Sequence, residues 1–263
     1  MKALITLISL TTALLAQTPA PPTFEVASVK LNKSGSRATR TKFRPGAHFT
    51  ATNITLHHLI LMAYEIRDFQ LSGGPSWIDS DRYDIDPKAA DDPPKPSDIR
   101  PITEEQRNAN SNRIRLMIQS LLAERFKLAV HKESKEGTVY WLVVAKNGLK
   151  IKELPPSSNP NPPQTLQGGG NGVLHAEGIK LADLVDSLVE EVGHPVIDKT
   201  NLTGNYNLDL KWTPDHSPAD ASNETNGPSI FTALQEQAGL KLEPHKAPVD
   251  VLVIDQVEKP TEN

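Results

Sequence analysis

NITLHHLILMAYEI (Asn53–Ile66) and GIKLADLVDSLVEEV (Gly178–Val192) lie over one another, and the rest of the chain falls into order around that pair. Ile54 matches Ile179, Leu56 matches Leu181 and Leu59 matches Leu184. Downstream, DRYDIDPKA (Asp81–Ala89) lies over GNYNLDLKW (Gly204–Trp212), setting Tyr83 on Tyr206 and Asp86 on Asp209. MIQSLLAERFKLAVHK (Met117–Lys132) then lies over IFTALQEQAGLKLEPHK (Ile230–Lys246) with one extra residue, Gly239, so that His131 meets His245. TVYWLVVAK (Thr138–Lys146) and PVDVLVIDQ (Pro248–Gln256) close the series. Matching strings in the same order predict an internal duplication.

Each copy reads alike. A short strand leads to a helix whose apolar residues recur near i, i+3 and i+4: Leu56, Leu59, Ile60, Ala63 in one copy, Leu181, Leu184, Val185, Leu188 in the other. Of the residues at the two helix starts, Thr55 and Lys180, only Thr55 has a side chain that caps. Alternation at Tyr83 and Ile85, and at Tyr206, Leu208 and Leu210, predicts a strand. A second helix carries Ile114, Met117, Leu121 and Leu122, or Ile230 and Leu234, and Gly239 is placed to end it in a left-handed conformation. Two closing strands are expected in each copy, Lys127–Lys132 with Thr138–Ala145 and Lys241–His245 with Val249–Ile254. FEVASVKLN, from Phe24, adds an alternating strand to the first sheet.

The expected class is therefore α+β: two pseudo-repeats of a β-α-β-α-β-β unit, with helices packed on small mixed or antiparallel sheets. The expected organisation is a signal peptide over residues 1–20, a first repeat over 21–152, a Pro/Gly-rich linker over 153–172 and a second repeat over 173–263. Asp91–Asn112 and Asp215–Gly227 read as loops that interrupt the two copies at one place.

The leader reading rests on Lys2 followed by the apolar and hydroxyl run Ala3–Ala16, too short to span a ~30 Å membrane core. No later stretch approaches the length of a membrane helix, so no membrane segment is expected once the leader is cut. With 28 basic and 32 acidic residues there is no surplus to neutralise phosphates, which excludes a general nucleic-acid binder. The absence of Cys rules out disulfides, thiolate zinc sites, thiol nucleophiles and lipid attachment at a cysteine. An exported, acidic, Cys-free chain suits a bacterial periplasm or the medium.

Motifs of chemistry are scarce. G-x-S-x-G, H-E-x-x-H, the P-loop and G-x-G-x-x-G are all missing, and Gly168–Gly170 is a triplet inside a Pro-rich stretch. Adjacent His57 and His58 point about 100° apart on a helix and so do not ligate one ion together. His131 and His245 hold equivalent repeat positions: two such imidazoles facing one cleft would take a metal or an anion, and a repeated structural hydrogen bond explains the same pattern. Asp79, Asp81, Asp84 and Asp86 crowd around Arg82 without the glycine and glutamate of a calcium loop. Trp77, after GGPS, and Trp141, within a strand, are able to stack a sugar or peptide or to anchor the core. The weak ligand-binding candidates are thus His131, His245 and Trp77, with no catalytic residue, metal site or cofactor expected.

Several strings together, FEVASVK, GGPSWIDSDRYDI, LLAERFKLAVHKE, VIDKTNLTGNYNLDLKWTPD and ALQEQAGLKLEPHKAPVDVLVIDQVEKPTEN, resemble a large family of exported proteins of unknown function expanded in acidobacteria and other soil bacteria. The resemblance runs from Phe24 to Asn263. It implies an extracytoplasmic sensing or binding module, since related domains are fused to membrane metallopeptidases of the β-lactam-sensor type. A weaker likeness to the small β-α-β modules of secretins and outer-membrane receptors implies interaction rather than catalysis. The expectation is a non-enzymatic module that binds an unidentified envelope protein or small ligand. The alternative is a periplasmic hydrolase or lyase working in a cleft between the repeats.

Overall fold

The computed structural model describes residues 22–24, 26–36, 38–44, 48–88, 103–155, 164–169, 171–214 and 227–261. In chain order, β1 (Val26–Leu31), β2 (Arg40–Arg44) and β3 (His48–Thr55) lead to α1 (Leu56–Tyr64). A 3-10 turn at Asp68–Gln70 precedes β4 (Leu71–Ser72), α2 (Trp77–Ser80) and β5 (Arg82–Lys88). Then come α3 (Glu104–Arg125), the long β6 (Ala129–Val144), β7 (Lys152–Glu153), β8 (Thr165–Gly169) and β9 (Val173–Ile179). α4 (Leu181–Val192), β10 (Val196–Asp198), β11 (Tyr206–Lys211) and α5 (Ile230–Ala233), prolonged by a π turn at Leu234–Ala238, lead into β12 (Leu240–Gln256). The fold is α+β, with a few helices on small sheets.

Two compact units result, neither continuous in sequence. Among the described residues, one takes those up to Ile54, Arg82–Arg125 and those from Pro260; the other takes Thr55–Asp81 and Phe126–Lys259.

The first unit holds the sheet β1-β5-β3-β2 and α3. β1 runs antiparallel to β5, so the strand expected near Phe24 does join this sheet. Alternate residues Phe49 and Ala51 on β3, and Tyr83 and Ile85 on β5, are buried, as are Ile114, Met117, Ile118, Leu121 and Leu122 of α3. Asn53, two residues before the end of β3, sits at φ 60, a conformation Asn tolerates. Its N–H donates to Asp84 Oδ1 (2.9 Å), and its Nδ2 donates to the carbonyls of Ser36 (2.7 Å) and Ala38 (3.1 Å). Arg82 Nη1 donates to the Asn53 carbonyl (2.9 Å). Of the acidic cluster read in the sequence, Asp84 is thus taken up in structural bonds, while Asp86 is exposed.

The second unit contains two sheets. In β7-β11-β9-β8, Leu174, Ala176, Tyr206, Leu208 and Leu210 are buried together with Leu181, Leu184 and Leu188 of α4 in one apolar cluster. Gly178, at φ 67, donates its N–H to Asn207 Oδ1 (2.8 Å), much as Asn53 does to Asp84 in the first unit. α4 starts where Asp183 accepts from the Lys180 N–H (3.0 Å) and stops at Gly193 (φ 62). α1 starts at Thr55, whose hydroxyl accepts from the His58 N–H (3.2 Å). The other sheet, β10-β6-β12-β4, is built on an antiparallel ladder from Leu240–Val144 to Gln256–Ala129.

Several expectations need correction. The closing strands do not come in pairs: β6 runs unbroken through Glu133–Gly137, and β12 through Pro244 and Pro248. Glu104–Asn112 is helix rather than loop, because Thr103 and Gln106 cap each other reciprocally, Thr103 N–H to Gln106 Oε1 (3.0 Å) and Gln106 N–H to Thr103 Oγ1 (3.2 Å). Part of the expected linker is β8, paired antiparallel with β9; Gly168 sits at φ 100, where a Cβ would lie 2.0 Å from the Val173 carbonyl oxygen. Gly239 does end its helix at φ 69. The leader over 1–20 and the loop over 215–226 lie outside the described residues.

Candidate functional site

The β6–β12 ladder fixes which backbone groups face outward. Tyr140 N–H donates to the Pro195 carbonyl and Lys199 N–H donates to the Leu142 carbonyl, so even-numbered residues of β6 turn their N–H and C=O away from β12. Tyr140 pairs with Pro244, and Glu136 with Pro248, so both prolines occupy outward-facing positions of β12 and cost the ladder no hydrogen bond.

The two long edges of this ladder differ. On β12, Pro244 and Pro248 remove two outward donors, Gln70 Nε2 donates to the Asp250 carbonyl (3.1 Å), and β4 covers Leu252 and Val253. On β6, β10 covers only Tyr140–Leu142. From Val130 to Thr138 no strand among the described residues pairs with the outward groups of β6, and Lys132–Glu136 are all exposed. That segment is a row of unpaired donors and acceptors at a sheet edge, the geometry that accepts an added strand.

Residues 57–257, from α1 to the end of β12, match the model of a family described as "Protein of unknown function (DUF3738)". The chain belongs to that family. No curated protein and no solved structure matches it.

In this DUF3738 chain the candidate residues do not converge. His245 lies opposite Val139 and His131 opposite Val253, so the two imidazoles are eight positions apart along β12 (245 against 253). At about 3.3 Å per residue that is roughly 26 Å. Their strings match in sequence, yet the strands that carry them run antiparallel, so equivalent positions depart in opposite directions from the central pair Lys135–Val249. His131 Nδ1 pairs with Asp255 Oδ1 (2.8 Å) at the exposed surface. His245 instead stacks on Trp141 (ring centroids 3.7 Å, 22°), with the Lys199 ammonium 5.5 Å from the indole. Its Nε2 is buried and has no hydrogen-bond partner among the described residues. Beside it, the Lys241 ammonium donates to Glu243 (3.0 Å) and holds that carboxyl below its ordinary range. Trp77 is half-buried on α2, with Lys259 over its ring at 5.4 Å and tied to Asp81 (2.6 Å), so one face of the indole is occupied from within the chain.

Two histidines outside that set have carboxylate partners. His57 has Asp79 Oδ1 2.5 Å from Nδ1 and Asp68 Oδ1 2.8 Å from Nε2. The second approach is close but off the N–H direction, since Nε2 makes no aligned hydrogen bond. His175, on the exposed face of β9, bonds Asp209 Oδ1 (2.6 Å), and that bond raises its pKa above the ordinary 6.5, with Glu177 adding to the effect. The strand register HAE against NLD makes this pair legible once β9 and β11 are aligned antiparallel. No group of three or more metal-ligating side chains occurs among the described residues. A pocket of about 240 Å³ lined by Phe231, Thr232, Gln235, Glu236, Lys241 and Leu242 falls below the ~300–1,000 Å³ usual for small-ligand sites.

Proposed function

We propose that this chain is an exported, non-enzymatic binding module of the bacterial cell envelope, built by duplication of one β-α-β-α-β unit whose last strand is long and continuous, that engages its partner by strand addition along β6. The carrying observation is the unpaired outward edge of β6 between Val130 and Thr138, set against the same edge of β12, which is closed by Pro244 and Pro248. Such an edge supplies affinity through main-chain hydrogen bonds and needs no special side-chain chemistry, consistent with the sparse motifs. Export is supported by the leader-like run Ala3–Ala16, and no helix among the described residues is long and apolar enough to cross a membrane. The soil-bacterial origin and the sensing role follow from the family resemblance of the sequence strings. The alternative hydrolase or lyase needed His131 and His245 in one cleft, and the antiparallel register leaves it without that geometry.

Amide hydrogen exchange tests this reading. In the dilute chain, the outward N–H groups of Lys132, Ser134 and Glu136 exchange as solvent-exposed amides. Added periplasmic extract is expected to slow those three specifically, and Ser134→Pro to abolish the protection. Unchanged exchange at all three, in extract and at high protein concentration, overturns the proposal.

A further inference from the structure

We infer that the strand completing the β6 edge is β6 of a second copy of this chain; the inference rests on the strand-addition reading above and names its partner. The exposed segment reads Lys132-Glu133-Ser134-Lys135-Glu136. Two such strands laid antiparallel about a two-fold axis through Ser134 set Lys132 opposite Glu136 of the other copy and Glu133 opposite Lys135. Every charge in the segment then meets its opposite, and the two-fold axis repeats each pair. A parallel, in-register arrangement would instead put Lys beside Lys and Glu beside Glu, which is destabilising. Charged side chains normally guard a sheet edge against pairing. Here the order of signs makes the guard selective, repelling most strands and admitting its own.

The backbone agrees with the charges. Even-numbered residues of β6 face outward, as the Tyr140 and Leu142 bonds to the β10 segment show. A two-fold axis through an even-numbered residue pairs even with even: Ser134 with Ser134, Lys132 with Glu136, Val130 with Thr138. Each of these is a position whose N–H and C=O both point across the new interface, so the pairs exchange reciprocal hydrogen bonds. An axis falling between two residues would pair even with odd and leave the outward groups unmatched, and one through Glu133 or Lys135 would set that residue against its own copy, like charge on like. Within one chain Glu133 and Lys135 already lie 3.1 Å apart on a shared face, poised to exchange partners with the second copy. The corresponding stretch of β12, Lys246-Ala247-Pro248-Val249-Asp250, lacks the central donor at Pro248 and has no such pattern of charge. Interfaces are isologous when the same patch meets itself, as this one does.

Sedimentation velocity on the chain from Pro21 onward, across the micromolar range, is the test. A reversible dimer is expected for the natural sequence. Ser134→Pro is expected to be monomeric yet folded, because its N–H faces away from β12 and Pro248 occupies the matching place there. Lys132→Glu with Lys135→Glu is expected to be monomeric, as is Glu133→Lys with Glu136→Lys, while an equimolar mixture of these two variants recovers the dimer. That recovery separates pairing from misfolding. A natural chain that stays monomeric throughout overturns this inference, and the strand-addition reading survives it if extract still protects the Ser134 amide. A dimer that persists in Ser134→Pro, or a mixture that stays monomeric, overturns it as well.

Discussion

β6 and β12 are the two sides of one ladder, carry matching sequence strings, and end with opposite edges. On β12 proline stands at 244 and 248; on β6 the matching places are Val130 and Ser134. Proline in a strand is tolerated only where its missing N–H would have faced outward. The same two substitutions that leave the shared ladder intact therefore close one edge and leave the other open. Strands with matching sequence strings thus differ in which edge they leave open through a backbone hydrogen that no side-chain pattern reports.

That contrast is open to attack at several points. The ladder ends in the core, where Leu142 and Leu242 face each other and are buried, Leu142 wholly so. Leu142→Ala is expected to destabilise the chain by about 2–5 kcal/mol, read from urea denaturation, by lost burial and a residual cavity. A cost under about 1 kcal/mol would mean that the ladder is not anchored at this end. Parity comes next. Lys135 turns its N–H toward β12 and Ser134 does not, so Lys135→Pro is expected to cost about 1–3 kcal/mol more than Ser134→Pro, a stranded hydrogen-bond acceptor accounting for the difference. Equal costs would refute the assignment of outward residues.

Pro248→Ser should change stability by only about 0.4–1 kcal/mol, through the freer unfolded chain, and give residue 248 an amide that exchanges rapidly in the monomer. If that amide is protected instead, the β12 edge is covered by something other than proline. The smallest effect belongs to His175, on a sheet face away from both edges. Its folded pKa is raised by Asp209, so its contribution to stability is complete below the unfolded value near 6.5 and fades as pH rises through the folded value. An NMR titration should place the imidazole above 6.5, and Asp209→Asn should bring it down; an unmoved titration would break the assigned bond.

Much of this was legible in the chain. The apolar spacing of Leu181, Leu184 and Leu188 gave α4, Thr55 gave the start of α1, and Gly239 gave a left-handed stop. The start of α3 was also legible in Thr103-Glu104-Glu105-Gln106, a capping box hidden by the polar run that follows it. Glu133–Gly137 and the prolines of β12 looked like turns because charge, Gly and Pro are local signals of a turn. Residue-for-residue pairing between two strands more than a hundred positions apart overrides them.

The matching of His131 to His245 was visible as text, and their divergence was not. Equivalence in sequence is a statement about order along the chain, whereas sharing a cleft is a statement about direction in space. The sequence by itself determined the element types, the apolar faces that make a core and the alternation of charge over Lys132–Glu136. Only the tertiary structure decided that β6 and β12 run antiparallel, which residues turn their backbone outward, and hence which edge stays open. The reason is physical: periodicity and capping act within a few residues, while hydrogen-bond parity exists only once two distant strands are in register.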